Sequence, residues 1–389
     1  MAKKNKAPGV YIDEIANFPS ALAEVATGVP VFIGYTEKAS ENGISIFKTP
    51  KHIKSPGEYQ NIFGGSANSS TTFCLYESVQ LFYENGGGDC HIISTGDYTN
   101  PVSFAVLNES LTNSKTVQAD LLAIPDAVFL NDAGDFYALQ KNMLDQCASL
   151  KNRFAIFDTP EPSADMLSDI RQFRDGTGND NLKWGAAYYP WLIVKAAKKI
   201  PPSGAIAGVY ARTDQQRGVW KAPANVSVMG ILALTNSVTT SIQDNMNIHE
   251  SGKSINAIRN FTGKGTLVWG ARTLNGNDNE WRYVPVRRFF IMVEESVTKA
   301  CQSLVFEPND ANTWAKARAM IENYLTIKWR QGALSGSKPG EAFYVRIGSG
   351  QTMTAQDILE GRMIVEIGMA PLRPAEFIIL CFSIKMQQN

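Results

Sequence analysis

Short apolar runs alternate with helical patterns over the first half of the chain. Apolar runs between turn residues predict buried strands, and apolar residues that recur every three or four positions predict helices. Such alternation is typical of an α/β layer with partly parallel pairing. The predicted strands are 29–35, 89–94, 121–125, 153–158 and 186–194, and the predicted helices are 76–84, 136–151 and 163–174.

The second half has a different pattern, which predicts an α+β domain. Two long stretches, 286–305 and 310–330, have helical spacing. The segments 342–347 and 362–367 alternate apolar and polar side chains, as antiparallel strands do. A helix is also predicted at 236–245 and a strand at 266–270.

Both ends of the chain also have the pattern of strands, at 8–15 and 375–385, with no hairpin partner next to them in sequence. Chain ends are normally polar and frayed unless something holds them. An exposed apolar edge strand promotes aggregation, and soluble monomers avoid one. Two interpretations stay open at this point: the strands pair within their own sheet, or they pair with a neighbouring copy of the chain.

Length and charge are those of an ordinary globular protein. The 389 residues predict two domains with real hydrophobic cores. The 37 basic residues equal the 37 acidic ones, so no net charge draws the chain toward nucleic acid. The charges are unevenly divided, because residues 206–389 hold 20 Lys and Arg against 15 Asp and Glu, whereas residues 37–205 hold 14 against 19. This division suits two surfaces that meet different neighbours.

The cysteines and the hydropathy pattern predict a protein made and folded in the cytoplasm. Five cysteines, mostly in apolar runs, are typical of free thiols in a reducing compartment. The first six residues include three lysines, but no apolar segment of a secretory signal follows them. No run approaches the roughly 18 apolar residues of a membrane span, so we predict no direct membrane insertion. The cysteines are Cys74, Cys90, Cys147, Cys301 and Cys381.

Two segments that look like phosphate or metal motifs fail on spacing. Ser-Gly-Lys-Ser at 251–254 resembles the end of a phosphate-binding loop, but that loop needs a glycine where Asn247 stands. No predicted strand leads into this segment either. His249 and Glu250 could begin a zinc-protease motif, but its second histidine would fall at Lys253.

Other candidates for chemistry have simpler structural explanations. Cys90 and His91 are adjacent in a predicted strand without a second ligand pair, so we interpret them as a buried thiol beside a hydrogen-bonded imidazole. The glycines at 86–88 precede a strand, whereas a dinucleotide-binding fold needs them after one. The chain has only three histidines for acid–base chemistry. We therefore predict no catalytic residue, no cofactor and no metal site.

A series of segments resembles the contractile tail sheath proteins of phages, R-type pyocins and extracellular injection particles. Ala-Gly-Val-Tyr-Ala-Arg-Thr-Asp at 207–214 continues as Arg-Gly-Val-Trp-Lys-Ala-Pro-Ala-Asn at 217–225, in the order of that family's signature. The resemblance covers about 35 residues at the start and all of 206–389, while 37–205 matches weakly. Further matching segments are 8–11, 255–259, 268–274, 283–288, 306–309, 332–334, 370–371 and 374–378.

The resemblance implies a fold and a division into domains. The implied fold is an α+β core domain, whose mixed sheet is completed by the neighbours' terminal strands and carries packed helices, with an inserted α/β outer domain. The implied divisions are an N-terminal arm at 1–28, a variable outer domain at 29–205, a sheath core at 206–373 and a C-terminal arm at 374–389.

The resemblance also implies a function without catalysis. Sheath subunits of this kind polymerise as helically stacked six-membered rings around an inner tube, and contract to drive the tube through a target envelope. The free energy is stored in the extended lattice, so no nucleotide is needed. The implied partners are neighbouring sheath subunits, the inner tube protein, and baseplate and tail terminator or cap proteins. The particle could be a phage tail, a pyocin-like bacteriocin or an extracellular injection system.

Two groups of residues are candidate contacts on this resemblance. The terminal strands would add to a sheet of a neighbouring copy, and a contact of this kind that does not close builds a helical polymer. The basic residues of the predicted helix 310–330 would face an acidic inner tube, although a solvated helix face explains them equally well. The arm residues are Val10, Tyr11, Ile12, Ile15, Phe377, Ile378, Ile379, Leu380, Phe382 and Ile384, and the tube candidates are Lys316, Arg318, Lys328 and Arg330.

Two alternatives remain open. A sheath-initiating or cap-proximal paralogue in the same particle would share these sequence features, and only its copy number per particle would separate it. A nucleotide-dependent hydrolase built on the α/β half would need a phosphate loop or polar residues at strand ends, and neither pattern is present.

Overall fold

The computed structural model describes residues 22–67 and 72–377, which form a mixed α/β structure. The strands, in chain order, are β1 (Pro30–Thr36), β2 (Ser40–Glu41), β3 (Ile44–Ser45), β4 (Lys51–Ile53), β5 (Cys90–Asp97), β6 (Leu121–Ala123), β7 (Phe154–Asp158), β8 (Gly185–Tyr189), β9 (Leu192–Ile193), β10 (Lys199–Ile200), β11 (Val226–Ser227), β12 (Ala233–Leu234), β13 (Ile255–Phe261), β14 (Gly265–Val268), β15 (Phe343–Arg346) and β16 (Glu366–Met369).

Helices follow most strands of the first half and dominate the second half. They are α1 (Pro56–Phe63), α2 (Leu75–Glu84), α3 (Phe104–Asn113), α4 (Ala133–Leu150), α5 (Met166–Gly176), α6 (Ser203–Arg217), α7 (Thr240–Asn247), α8 (Val284–Cys301), α9 (Ala311–Arg330), α10 (Pro339–Ala342) and α11 (Ala355–Leu359).

A nine-stranded sheet with the order β11-β14-β13-β8-β7-β6-β1-β5-β4 organises most of the chain. Its six central strands, from β13 to β5, run parallel. Antiparallel strands close both edges, β4 on one side and β14 with β11 on the other. The residues of β1, β7 and β8 are buried along the whole strand, which explains why they are continuous apolar runs and not alternating ones. The predicted α/β layer with parallel pairing is confirmed.

Two helices of the main sheet's layer, α2 and α6, pack closely because α6 carries glycines at the crossing. A Cβ built at Gly204 would lie 2.2 Å from the carbonyl oxygen of Ser78, and one at Gly208 would lie 2.4 Å from that of Phe82. Real Cβ atoms do not approach backbone so closely. The glycine spacing of one helical turn therefore sets the contact distance between the two helices.

The chain divides into two compact units. One contains residues 24–298 and 371–377 and holds the large sheet. The other contains residues 22–23 and 299–370. The boundary predicted at 205/206 falls within α6 and would separate β8 from β13, which pair directly. The assignment of outer and inner domains stays a prediction.

The smaller unit is built on α9 and a two-stranded antiparallel sheet of β15 and β16. Along β15, the side chains of Phe343 and Val345 are buried and those of Tyr344 and Arg346 are exposed. Helix α9 packs against this strand. Its residues Ala317 and Ile321 are fully buried.

Several elements differ from the sequence predictions. The signature segment 207–214 forms the middle of α6 and 255–259 lies in β13, although neither was predicted as a regular element. Helix α6 has no amphipathic pattern, because ten of its fifteen residues are buried, and periodicity cannot detect such a helix. The strand predicted at 186–194 is interrupted at Pro190, and the strand predicted at 362–367 lies at Glu366–Met369.

Candidate functional site

The last described residues lead toward the predicted C-terminal arm, and one side chain among them is held tightly. Residues 372–377 are neither helix nor strand, and the side chain of Phe377 is 65% exposed. Glu376 beside it is partly buried and bonded to three other side chains. The other arm residues named above, at the two chain ends, lie outside the described residues.

Arg272 makes the principal contact to Glu376. Its Nη2 lies 2.6 Å from Oε2 of Glu376, and its Nε lies 2.9 Å from Oε1, which is a bidentate arrangement. The guanidinium is only 3% exposed, and its Nη1 donates to the carbonyl oxygen of Gly276 at 3.0 Å. Asn256 fixes the backbone of Arg272 through its side-chain amide, which accepts from the N–H and donates to the carbonyl.

Two further donors complete the contacts of the Glu376 carboxylate. Asn247, at the end of α7, donates to Oε1 at 2.7 Å. The hydroxyl of Tyr283 donates to Oε2 at 3.1 Å. Burial alone would raise the pKa of Glu376, but the hydrogen bonds from Arg272 and Asn247 and the charge of Arg272 outweigh it and hold the pKa below its ordinary 4.5. The carboxylate is therefore ionised at neutral pH. We call Glu376, Arg272, Tyr283 and Asn247 the arm clamp.

The small sheet of β15 and β16 offers strand edges to a partner. Each of these strands has one ladder partner among the described residues, so the outer edge of each is unpaired there. An isolated two-stranded sheet is marginally stable in water, and unpaired edges accept further strands. Tyr344 on β15 is 43% exposed.

The structure places the four tube candidates of α9 in two classes. Lys316 and Arg330 are exposed. Arg318 donates to the carbonyl oxygen of Ile347. Lys328 is only 6% exposed, and its Nζ donates to Gln331 at 3.0 Å. Two of the predicted cations thus point to solvent, and two make contacts inside their own unit.

Residues of the signature segment 207–225 make packing contacts and a buried ion pair within the fold. Gly208 permits the close α2–α6 contact described above, and Asp214 pairs with Arg288 on α8. The ring of Trp220 packs edge-on against Phe289 at a centroid distance of 6.3 Å. Asn225 has φ of +56°, in the left-handed region that asparagine tolerates better than most residues. These residues shape the core and its turns.

Residues that resembled catalytic or phosphate motifs have structural partners. Nζ of Lys253 donates to the carbonyl oxygens of Arg174 and Thr177, so this lysine holds a loop in place. Cys90 is fully buried. His91 stands opposite His52 across β4 and β5, with ring centroids 4.9 Å apart. Burial and the charge of His52 lower the pKa of His91 to about 4.

Two buried aspartates hold strands to helices of the large sheet. The carboxylate of Asp126 accepts from the N–H groups of Tyr35 and Cys74, at 2.7 and 2.8 Å. That of Asp158 accepts from the N–H of Ser203, the first residue of α6, at 2.8 Å. Burial raises the pKa of Asp126 to about 6 and that of Asp158 to about 7.

Within residues 22–67 and 72–377, no group of three or more His, Cys, Asp or Glu side chains is placed to hold a metal ion. Within the same ranges, no helix combines the length and apolar character of a membrane span.

Comparisons with known proteins agree with this architecture. Residues 93–274 match the phage tail sheath protein central domain, and residues 276–385 match the phage tail sheath C-terminal domain. The sheath of the PVC extracellular contractile injection system, solved in its contracted state, is 37% identical, with a TM-score of 0.77 and 98% of both chains covered. The contracted helical sheath of the anti-feeding prophage is 34% identical, with a TM-score of 0.76 and 98% and 99% of the chains covered.

The curated relatives are more distant and longer. The tail sheath protein of Vibrio phage KVP40 is 24% identical over 243 residues, which are 53% of this chain and 36% of that protein. The chain thus spans about a third of the length of such relatives.

A chain that matches solved sheath structures over nearly its whole length has the fold of a contractile sheath subunit. It belongs to the phage tail sheath family. The resemblance read from the sequence is confirmed, and so is the mixed α/β fold class. The detail of an inserted outer domain stays a prediction.

Proposed function

We propose that this chain polymerises with copies of itself as a helically stacked sheath of six-membered rings around an inner tube, and that the sheath contracts to drive the tube through a target envelope. Family membership and near-complete coverage of sheath subunits from two contractile systems support this function. The subunit assembles in the cytoplasm and becomes part of a phage tail or of an extracellular particle. Its other partners are the inner tube protein, the baseplate, and terminator or cap proteins.

The observation that carries the proposal is that one chain has both a segment suited to be donated as a strand and a sheet suited to accept one. The donor is the apolar segment 377–385, which continues from an exposed, irregular stretch. The acceptor is the two-stranded sheet of β15 and β16, with its unpaired edges among the described residues. A single strand leaves backbone N–H and C=O groups unpaired at its edges. The donor strand of one copy and the acceptor sheet of a neighbouring copy supply hydrogen-bond partners for each other's unpaired groups. The apolar segment 8–15 acts as a second donor.

Helix α9 is the surface we assign to the inner tube. Lys316, Asn323, Ile327 and Arg330 are exposed and fall on one helical face. This face carries positive charge at both ends and no acidic side chain among these four. It therefore suits an acidic partner. Each such contact contributes at most about 1 kcal/mol, so many subunits together hold the extended state while single contacts stay releasable.

The subunit works without catalysis. Three of the side chains that the sequence singled out have structural contacts: Lys253 donates to two backbone carbonyl oxygens, Cys90 is buried, and the ring of His91 packs against that of His52. Contraction draws on free energy stored in the lattice, which requires no nucleotide. Nucleotide binding by the purified protein would contradict this part of the proposal.

Terminal deletions test the arms directly. Deleting residues 1–15, or 378–389, should leave a folded monomer that forms no sheath tubes in negative-stain microscopy. Circular dichroism and the thermal transition of each deletion control for folding. Normal tubes from either deletion would refute the donor role of that segment.

Copy number tests the place of the chain within the particle. A sheath subunit should be among the most abundant proteins of the purified particle, in numbers that scale with its length. Six or twelve copies would instead identify a sheath-initiating or cap-proximal paralogue.

A further inference from the structure

The arm clamp joins sequence segments that lie far apart. Arg272 and Tyr283 lie between β14 and α8, Asn247 ends α7, and Glu376 stands 104 residues after Arg272. All four belong to the unit that holds the large sheet. Their convergence on one carboxylate places a strong, directional contact at the last partly buried residue before the exposed Phe377.

The geometry suits a point of attachment. Residues 372–377 form no helix or strand, and four of these six side chains are exposed, so regular secondary structure does not fix the path of the chain here. Hydrophobic contact is non-directional. A bidentate arginine–carboxylate pair fixes both position and orientation.

Both partners need each other at this site. The guanidinium of Arg272 is almost fully buried, and its hydrogen bonds go to Glu376 and to the carbonyl oxygen of Gly276. Removing the carboxylate would leave a buried cation without its counter-charge, which is costly. The buried guanidinium of Arg272 is therefore stabilised only when the Glu376 carboxylate is hydrogen-bonded to it.

We propose that Glu376 is the anchor residue of the C-terminal arm, and that Arg272, Tyr283 and Asn247 fix the point and direction at which the arm leaves its own subunit for the neighbouring copy. This inference deepens the proposed function and rests on the arm being a donated strand. The clamp presents the strand pre-oriented, so less conformational freedom is lost when the neighbour binds it. It also transmits tension from the arm to the large sheet through Arg272, which Asn256 fastens to β13.

Glu376→Gln is the principal test, because it keeps the side chain's size and removes its charge. Two measurements are needed: amide hydrogen exchange of residues 371–377 in the monomer, and the critical concentration for tube assembly. We expect each to rise about tenfold, since hydrogen bonds to charged groups contribute on this scale. The thermal transition of the monomer should stay close to that of the unmodified chain, because local opening of residues 371–377 lets water reach the Arg272 guanidinium while the rest of the large sheet keeps its contacts.

Two further variants separate anchoring from general damage. Glu294→Gln is the matched control: Glu294 accepts from Nη2 of the buried Arg287 at 2.9 Å, in a pair that does not lead to the arm. It should leave exchange at 371–377 and assembly unchanged. Tyr283→Phe keeps the ring and removes one hydroxyl donor, so it should raise both quantities about two- to threefold.

The outcomes distinguish the anchor from the arm itself. If deletion of 378–389 prevents assembly while Glu376→Gln changes neither exchange nor critical concentration, the anchor is wrong and the donated strand stands. If the deletion assembles normally, the donated strand is wrong, and exchange at 371–377 in the monomer still decides whether Glu376 holds this segment. An equal effect of Glu294→Gln on exchange at 371–377 would also overturn the anchor.

Discussion

Arg288 on α8 holds the carboxylate of Asp214 on α6 in a buried bidentate pair. Nη1 lies 2.9 Å from Oδ1 and Nη2 lies 2.6 Å from Oδ2, and the two side chains are 2% and 3% exposed. The same Nη2 donates to Asp120 at 2.9 Å, and Asp120 accepts from the N–H of Val29 at 2.7 Å. One guanidinium therefore ties together α6, α8 and the segments that precede β1 and β6.

Replacing Arg288 should strongly destabilise the unit that holds the large sheet. Burial alone would lower the pKa of Arg288, but the carboxylates of Asp214 and Asp120 outweigh it and raise the pKa, so the cation is firmly charged. Arg288→Met leaves the buried carboxylate of Asp214 and the partly buried one of Asp120 without their cation. We therefore expect a loss of about 3–5 kcal/mol in the free energy of unfolding by guanidinium denaturation. Lys141→Met, which breaks an exposed pair with Asp145, should have no measurable effect. A loss as small as the control's would contradict the network.

The α2–α6 contact predicts a position-specific response to alanine. Gly208→Ala would place a methyl group 2.4 Å from the carbonyl oxygen of Phe82, which forces the two helices apart. We expect the free energy of unfolding to fall by about 1–3 kcal/mol. Gly178→Ala is the matched control, because nothing lies within 4 Å of the new methyl group. An unchanged denaturation midpoint for Gly208→Ala would show that the crossing is looser than described.

Asp158 predicts how stability depends on pH. Burial raises its pKa from 3.8 to about 7 in the folded state, against the hydrogen bonds from Ser203. Between about pH 4 and pH 7 the folded state therefore binds a proton that the unfolded state lacks. The contribution of Asp158 to the free energy of unfolding falls by roughly 4 kcal/mol as pH rises through this range.

Asp158→Asn mimics the protonated form and should remove this part of the pH dependence. Urea denaturation at several pH values between about 4 and 8 measures it, with the unmodified chain as reference. Equal slopes for the two proteins would mean that Asp158 ionises normally in the fold.

The Glu376 carboxylate predicts the opposite pH behaviour at the arm. Its pKa lies below the ordinary 4.5 in the folded state, so the clamp's contribution is fully present above about pH 4.5 and is lost as pH falls through the lowered value. The ratio of critical concentrations for Glu376→Gln and the unmodified chain should therefore stay constant from about pH 8 to pH 5. A ratio that approaches one within that range would contradict an ionised anchor.

The exposed cations of α9 predict a defect confined to the inner tube. Lys316→Glu combined with Arg330→Glu should leave assembly of the sheath protein alone unchanged. The same variant should reduce extended sheath when the inner tube protein of the same particle is co-expressed, and added salt should weaken the contact of the unmodified chain in the same direction. Lys338→Glu, an exposed cation outside α9, is the control. Normal extended sheath from the double variant would refute the tube contact.

The sequence predicted five of the six strands of the parallel layer, all except β13, and it placed most of these strands and the long helices within a few residues of their observed bounds. For example, helix 310–330 is found at Ala311–Arg330, and strand 153–158 at Phe154–Asp158. Apolar periodicity is a local property, and the residues that create it are neighbours in sequence. The ordered matches across 206–389 also identified the family. Helix α6 was missed because a helix buried on all sides has no polar face to mark it.

What the sequence determined by itself was therefore the type of most elements, the family, and the apolar character of the two terminal segments. The tertiary structure decided which side chains meet. Only the folded structure brings Glu376 next to Arg272, Tyr283 and Asn247. The same holds for Arg288 and its partners Asp214 and Asp120. The spacing of these residues along the chain does not predict the pairs. The reason is physical: a buried carboxylate–guanidinium contact depends on which strands and helices lie side by side, and residues 74 to 168 positions apart acquire that relation only when the sheet has formed.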